Sequence, residues 1–189
     1  MKFPAGWISP DAKIAEGATF GEGVVVEAGP EVGPGCRIGH RVVIRAGAVL
    51  GPEVQVGDGA ILGKAPMKAA RSALTRDIAL PPARIGARAR IGAQAVVYRG
   101  AAIGEDGFLG DFASVREEVE VGPGTIVGRG AVVENRCRVG ARCKIEAGAY
   151  VATFTEIGDD CFIAPEVTIT NDNFMGRTLE RFKHHKGAT

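Results

Sequence analysis

This chain of 189 residues lacks most of the features that usually betray a function. It has no long apolar run, so nothing in it reads as a membrane span or a signal peptide, and a soluble cytoplasmic protein is expected. Its net charge is +1, which removes any overall case for binding nucleic acid or another polyanion. Histidine is scarce: His40, His184 and His185 are the only ones, and they are too far apart for one chain to gather them around zinc. There are 4 cysteines, Cys36, Cys137, Cys143 and Cys161, each placed two residues before an aliphatic side chain. That placement reads as packing thiols rather than metal ligands or disulfides. At this length the chain is one domain.

What the chain does have is a beat of six. Ile8, Ile14, Phe20, Val26, Val32 and Ile38 begin a run that continues to Leu62. A second run starts at Ile85, passes through Val97, Val115 and Val133, and ends at Ile169. No helix has this period. A fixed short repeat predicts a parallel β-helix, in which each strand is supported by strands stacked above and below it.

The cross-section follows from the glycines. In most hexads a glycine comes directly after the aliphatic, as at Gly21, Gly33, Gly39, Gly51, Gly57, Gly86 and Gly92. Tyr98, Arg116, Glu134, Ala152 and Thr170 replace it at steps of 18, as do Glu27 and Arg45. One corner in three therefore lacks glycine, and three hexads make one coil of a triangular prism. We name the strands A (ending without glycine), B and C. The glycines are read as turn residues that need positive φ. The register gives about nine coils and a column roughly 40 Å tall. Because strand side chains alternate, the slot two residues before each aliphatic also points inward, and small residues fill it. Residues 1–7, with Phe3 and Trp7, are candidates to plug the first coil.

Two segments break the beat. Between Leu62 and Ile85 the step is 23 rather than 6, so 17 residues are inserted at one corner without loss of register. The domain reading is a β-helix over 1–169, with an excursion at 64–84, followed by a loop and tail over 170–189. Both irregular segments are basic: the first carries Lys64, Lys68, Arg71, Arg76 and Arg84 against Asp77 alone. Cations on a loop beside a rigid wall suit the phosphates of a nucleotide or coenzyme, and Arg71 and Arg76 are the candidates. Residues 67–75 are read as a weak pair of helical turns, and Leu80-Pro81-Pro82 as a stiff return strut. His40, just past a corner, is a candidate general base. Asn135 and Glu146 are the polar corner groups nearest the middle of the second half.

With this repeat the sequence resembles the hexapeptide-repeat acyltransferases, whose unit is an aliphatic, a glycine and four variable residues. The resemblance implies a left-handed coil, against the usual right-handed crossover. It also implies a homotrimer with active sites between adjacent prisms, and an acetyl-CoA or other acyl-CoA co-substrate in the groove, with no permanently bound cofactor; the positions of the histidines and cysteines give no metal site. From Lys144-Ile145-Glu146 through Thr170-Asn171-Asp172 the chain is most similar to nucleotide-amino-sugar N-acetyltransferases. There, a threonine-asparagine pair like Thr170-Asn171 opens a loop near the substrate. The resemblance thus implies N-acetylation of a nucleotide-linked amino sugar. It suggests Glu146 as base, and Asn135, Thr170, Asn171 and Asp172 on the substrate. Two departures stand out. The asparagine that commonly follows the Lys-Ile-Gln stretch is absent, the chain reading Glu146-Ala147-Gly148. Relatives also run on into further coils, whereas here Lys186-Gly187-Ala188-Thr189 resembles the approach to another rung. The alternative these departures favour is a non-catalytic β-helix that binds or scaffolds.

Overall fold

The computed structural model describes residues 6–68, 70, 78–171 and 187–189. Within them the chain forms 25 short strands and no helix. Among the described residues no helix is long and apolar enough to cross a membrane. The strands pair in parallel, each with those one coil away, in three sheets of 9, 8 and 8 strands. The result is a left-handed β-helix of about nine turns.

The six-residue beat is the reason. Sheet A runs from Trp7–Ile8 to Thr168–Ile169, and its inward residues lie directly over one another. Val97 is in register with Val115, Val115 with Val133, and Val133 with Val151. All four are fully buried. At roughly 1.5–3 kcal/mol for each buried aliphatic, this lining drives folding against chain entropy.

The inward slot before each strand holds small side chains, as its narrowness demands. Ala48, Ala60, Ala131 and Ala149 are buried there, as are Cys36, Cys137 and Cys143, while Cys161 is half-buried near the end of the column. The slot is not wholly apolar. Cys36 Sγ lies 3.2 Å from the Gly51 carbonyl, Thr125 Oγ1 donates to Gly140 O at 2.7 Å, and Cys143 Sγ lies 2.9 Å from Gly158 O. Each of these contacts spans 15 residues to the next coil. Burial pushes the Cys137 thiol up to about 11, as expected of an inert packing thiol.

The glycines act differently from the expectation. Positive φ falls three residues after the aliphatic, at Gly17, Gly35 and Gly59, and equally at Arg41, Arg88 and Asp106. The glycine directly after the aliphatic has ordinary φ, except Gly63, where the first excursion leaves. What it needs is space: a Cβ on Gly110 would lie 2.5 Å from Arg129 N, and one on Gly33 would lie 2.6 Å from the Gly51 carbonyl carbon. Coil-to-coil backbone contact, and not turn geometry, selects glycine there. Trp7 is likewise not a plug. It is the outward residue of the first strand of sheet A and is 53 % exposed, while Phe3 lies outside the described residues.

The three outer faces differ. Sheet A presents Val25, Val43, Ile61, Val96, Ser114 and Val132, all half-buried. Sheet B presents charges that pair between coils, such as Lys13 with Glu31 at 2.7 Å and Arg138 with Glu120 at 3.9 Å. Sheet C mixes cations with aromatics, including Arg37, Arg90, Phe108, Lys144 and Phe162.

Candidate functional site

Corner A, where sheet A turns into sheet B, carries side chains at the position that glycine holds elsewhere. Their chemistry runs up the edge as a ladder. Arg45 Nη1 meets Glu27 Oε1 at 2.5 Å, and Glu27 also accepts the Ala46 N–H at 2.9 Å. Burial works against ionisation of Glu27, but Arg45 and this amide outweigh it and hold the carboxyl below its ordinary value. Higher up, the Tyr98 ring lies between two cations, Lys64 Nζ at 4.6 Å and Arg116 Cζ at 4.7 Å from its centroid. Arg116 also grips Glu117 through Nε at 3.0 Å and reaches Glu134 at 3.6 Å. Burial, and then Glu134, raise the Tyr150 phenol.

One residue further along, the same edge turns polar groups inward. Glu117, Asn135 and Thr153 are buried here, in a protein with few other buried polar side chains among its described residues. They are linked upward: Thr153 Oγ1 donates to Asn135 Oδ1 at 2.9 Å, and Asn171 Nδ2 donates to the Thr153 carbonyl at 2.9 Å. Asn135 Nδ2 donates to no described residue.

Both excursions leave and rejoin at corner A. The first departs through a bulge at Gly63, whose φ is 82°. It returns along Leu80 and Pro81: Arg99 forks onto the Leu80 carbonyl at 3.2 and 3.1 Å and reaches Ala46 O at 2.9 Å, while Gly100 N donates to Pro81 O at 2.7 Å. Ala83 then takes its place in sheet B by accepting from Val49 N at 3.0 Å. The second excursion departs after Asn171. Its return is visible at Ala188, whose carbonyl accepts from Glu156 N at 2.9 Å, the role that Ala83 plays below.

The residues singled out from sequence divide among three places. Asn135, Thr170 and Asn171 come together at corner A. Glu146 and His40 lie on corner C, the opposite edge of sheet A, after Ile145 and Ile38. These two are five coils apart, about 24 Å, and form no pair. His40 Nδ1 accepts the Glu22 N–H at 3.0 Å, and the His40 backbone N–H donates to Asp58 Oδ1 at 2.8 Å. Asp111 and Asp159 cap Ala93 and Ala141 in the same way, so His40 is built into the corner. Glu146 is half-buried, makes no ion pair with a described residue, and occupies a slot that is glycine in the coils below. Asp172, Arg71 and Arg76 lie outside the described residues, as do most of 67–75 and both C-terminal histidines. Among the described residues no three His, Cys, Asp or Glu side chains cluster to hold a metal. Glu117, Tyr98, Arg116 and Arg99 were not singled out for chemistry, although the glycine-free corner pointed at their column.

Comparison with known proteins agrees with the architecture. Residues 136–171 match the family model described as bacterial transferase hexapeptide (six repeats), and residues 82–110 match the hexapeptide repeat of succinyl-transferase. The protein is thus of the hexapeptide-repeat, left-handed β-helix class, and its likeness is to the acyltransferases built on that repeat. Among solved structures, a UDP-N-acetylglucosamine acyltransferase from Bacteroides fragilis superposes with a TM-score of 0.72 at 20 % identity, covering 90 % of this chain and 68 % of that one. The corresponding enzyme from Acinetobacter baumannii gives 0.57 at 13 % identity, covering 89 % and 70 %. That from Francisella novicida gives 0.51 at 18 %, covering 88 % and 65 %. At such identities the likeness is one of fold. No curated protein matches the sequence.

Proposed function

We propose that the protein is an acyl-CoA-dependent acyltransferase acting on a nucleotide-linked sugar, with N-acetylation of an amino sugar as the specific reaction, and that it works as a cytoplasmic homotrimer. One observation carries this reading. The apolar outer face of sheet A lies between two polar edges, and Asn135 on corner A and Glu146 on corner C both belong to the seventh coil. A threefold arrangement with sheet A inward and prism axes parallel sets corner A of one copy against corner C of the next, at equal height. The site then combines Asn135 from one protomer with Glu146 from its neighbour. The nucleotide-sugar class is suggested by the structural relatives, which are UDP-N-acetylglucosamine acyltransferases.

In this site the neutral amine attacks the thioester carbonyl carbon, the C–S bond breaks, and coenzyme A leaves as the thiol. Glu146 takes the amine proton and the departing sulfur takes one up. The Asn135 amide N–H₂ faces the developing oxyanion. Thr170, Asn171 and Asp172 hold the sugar at the mouth of the second excursion, and Arg71 and Arg76 take the coenzyme phosphates from the first. His40, engaged at its corner, is the lesser candidate for base. The test is release of free thiol from acetyl-CoA with a panel of UDP-amino sugars. Turnover that falls at least about a hundredfold in Glu146→Gln supports the reading, and no thiol release with any acceptor sinks it.

A second reading, a binding or scaffold protein without turnover, is favoured by the self-paired state of Arg116, Glu117 and Glu134. It predicts no thermal stabilisation by coenzyme A, whereas a transferase is stabilised by ligand well above its Kd.

A further inference from the structure

The outer face of sheet C suits a ligand that the acyl-transfer argument does not use. Its side chains stack in register: Arg37 against Gln55, Gln55 against Arg90, and Arg90 against Phe108. These four line two adjoining depressions of about 660 and 520 Å³. On sheet B, by contrast, Lys13 and Arg138 are matched by carboxylates one coil away, and only Arg84, between Val49 and Ala102, stands without one among the described residues. Sheet C has Arg37, Arg90 and Lys144 on its outer face and no outward acid. Arg37 and Arg90 make no ion pair with any described residue. Of the carboxylates that line the two depressions, Asp106 is held chiefly by Arg88 at 2.8 Å and more weakly feels Arg90, Asp111 accepts the Ala93 N–H at 2.8 Å, and Glu53 lies on the rim of the first.

We propose that this face binds a nucleoside diphosphate, with Arg37 and Arg90 closing on the phosphates across Gln55 and the base stacked on Phe108. The spacing fits. Two rungs separate the arginines, roughly 10 Å at the backbone, and both side chains are long enough to meet over the intervening glutamine. Guanidinium forks match phosphate oxygens, and a protruding ring that is 40 % exposed offers a stacking platform. The site spans the second to fifth coils and is independent of whether the chain transfers acyl groups.

The experiment is isothermal titration of the full chain with ADP, UDP, pyrophosphate and adenosine, in the absence of any acyl donor. Both nucleotides bind, pyrophosphate binds more weakly, and adenosine does not bind. The double variant Arg37→Ala/Arg90→Ala loses at least about tenfold in affinity for all three anions. Phe108→Ala weakens ADP by several-fold but leaves pyrophosphate unchanged. Arg84→Ala/Arg138→Ala, on sheet B, binds as wild type. These side chains point to solvent, so the variants keep the far-ultraviolet spectrum and melting temperature of the parent, which separates lost binding from lost folding. Absence of ADP and UDP binding at millimolar concentration overturns the proposal. So does an unchanged affinity in the Arg37/Arg90 double variant, or binding of a single-stranded oligonucleotide without binding of ADP.

Discussion

Corner C is closed by glycine where corner A carries side chains, and that difference decides which edge has room for polar groups. At corner C, successive coils approach so closely that Gly92 and Gly110 would each place a Cβ 2.5 Å from the next backbone nitrogen. At corner A the equivalent positions hold Tyr98, Arg116 and Glu134. An edge with room for side chains can carry ion pairs, buried amides and the exits of two loops, while an edge without room can only hold the column shut. Glu146 is informative because it breaks the rule at corner C, a large polar residue in a glycine column.

The sharpest way to break the comparison is to add the forbidden atom. Gly110→Ala drives a methyl into the Arg129 backbone and should destabilise by about 3 kcal/mol, whereas Ala152→Gly at corner A should cost no more than about 1 kcal/mol. Urea unfolding of the two variants compares them directly, and equal losses would abolish the distinction. A smaller effect is expected from Arg99→Ala, which frees the Leu80 and Ala46 carbonyls. Hydrogen bonds from a charged donor are worth about 1.5–3 kcal/mol, but here the loss is local. Limited proteolysis within 64–84 should therefore accelerate while the global melting temperature barely moves.

The smallest effect concerns acid. Arg88 holds Asp106 below the usual carboxylate range, Arg142 does the same for Asp160, and Lys13 for Glu31. A carboxyl whose folded pKa is lowered contributes stability above its unfolded pKa, and loses it as pH falls through the folded value. The melting temperature should stay level from neutral pH to about 5 and decline below about 4. A decline beginning near pH 6 would point to other groups.

The column itself was legible because a stacked coil tolerates no slip: Val115, Val133 and Val151 had to fall at steps of 18, and in the structure they lie in one ladder. The reason for the glycines was not legible. A glycine forced by positive φ and one forced by a neighbouring backbone look identical in sequence, and the positive-φ positions proved to accept Arg41, Arg88 and Phe112. Trp7, an aromatic near a chain end, suggests a cap in sequence, whereas the alternation of the first strand turns it outward. For the candidate site, the glycine-free corner marked the edge on which Asn135, Thr170 and Asn171 come together. Glu117 went unchosen because its burial comes from a turn that draws the second corner residue inward, which a hexad count does not reveal.

The central claim is that one site is shared between corner A of one protomer and corner C of its neighbour. It is tested by mixing Asn135→Ala and Glu146→Gln chains, each inactive alone, through joint unfolding and refolding. In random trimers about a quarter of the sites pair an intact Asn135 with an intact Glu146, so the mixture should regain up to about a quarter of wild-type acyl transfer. A mixture as inactive as its parents would contradict the shared site.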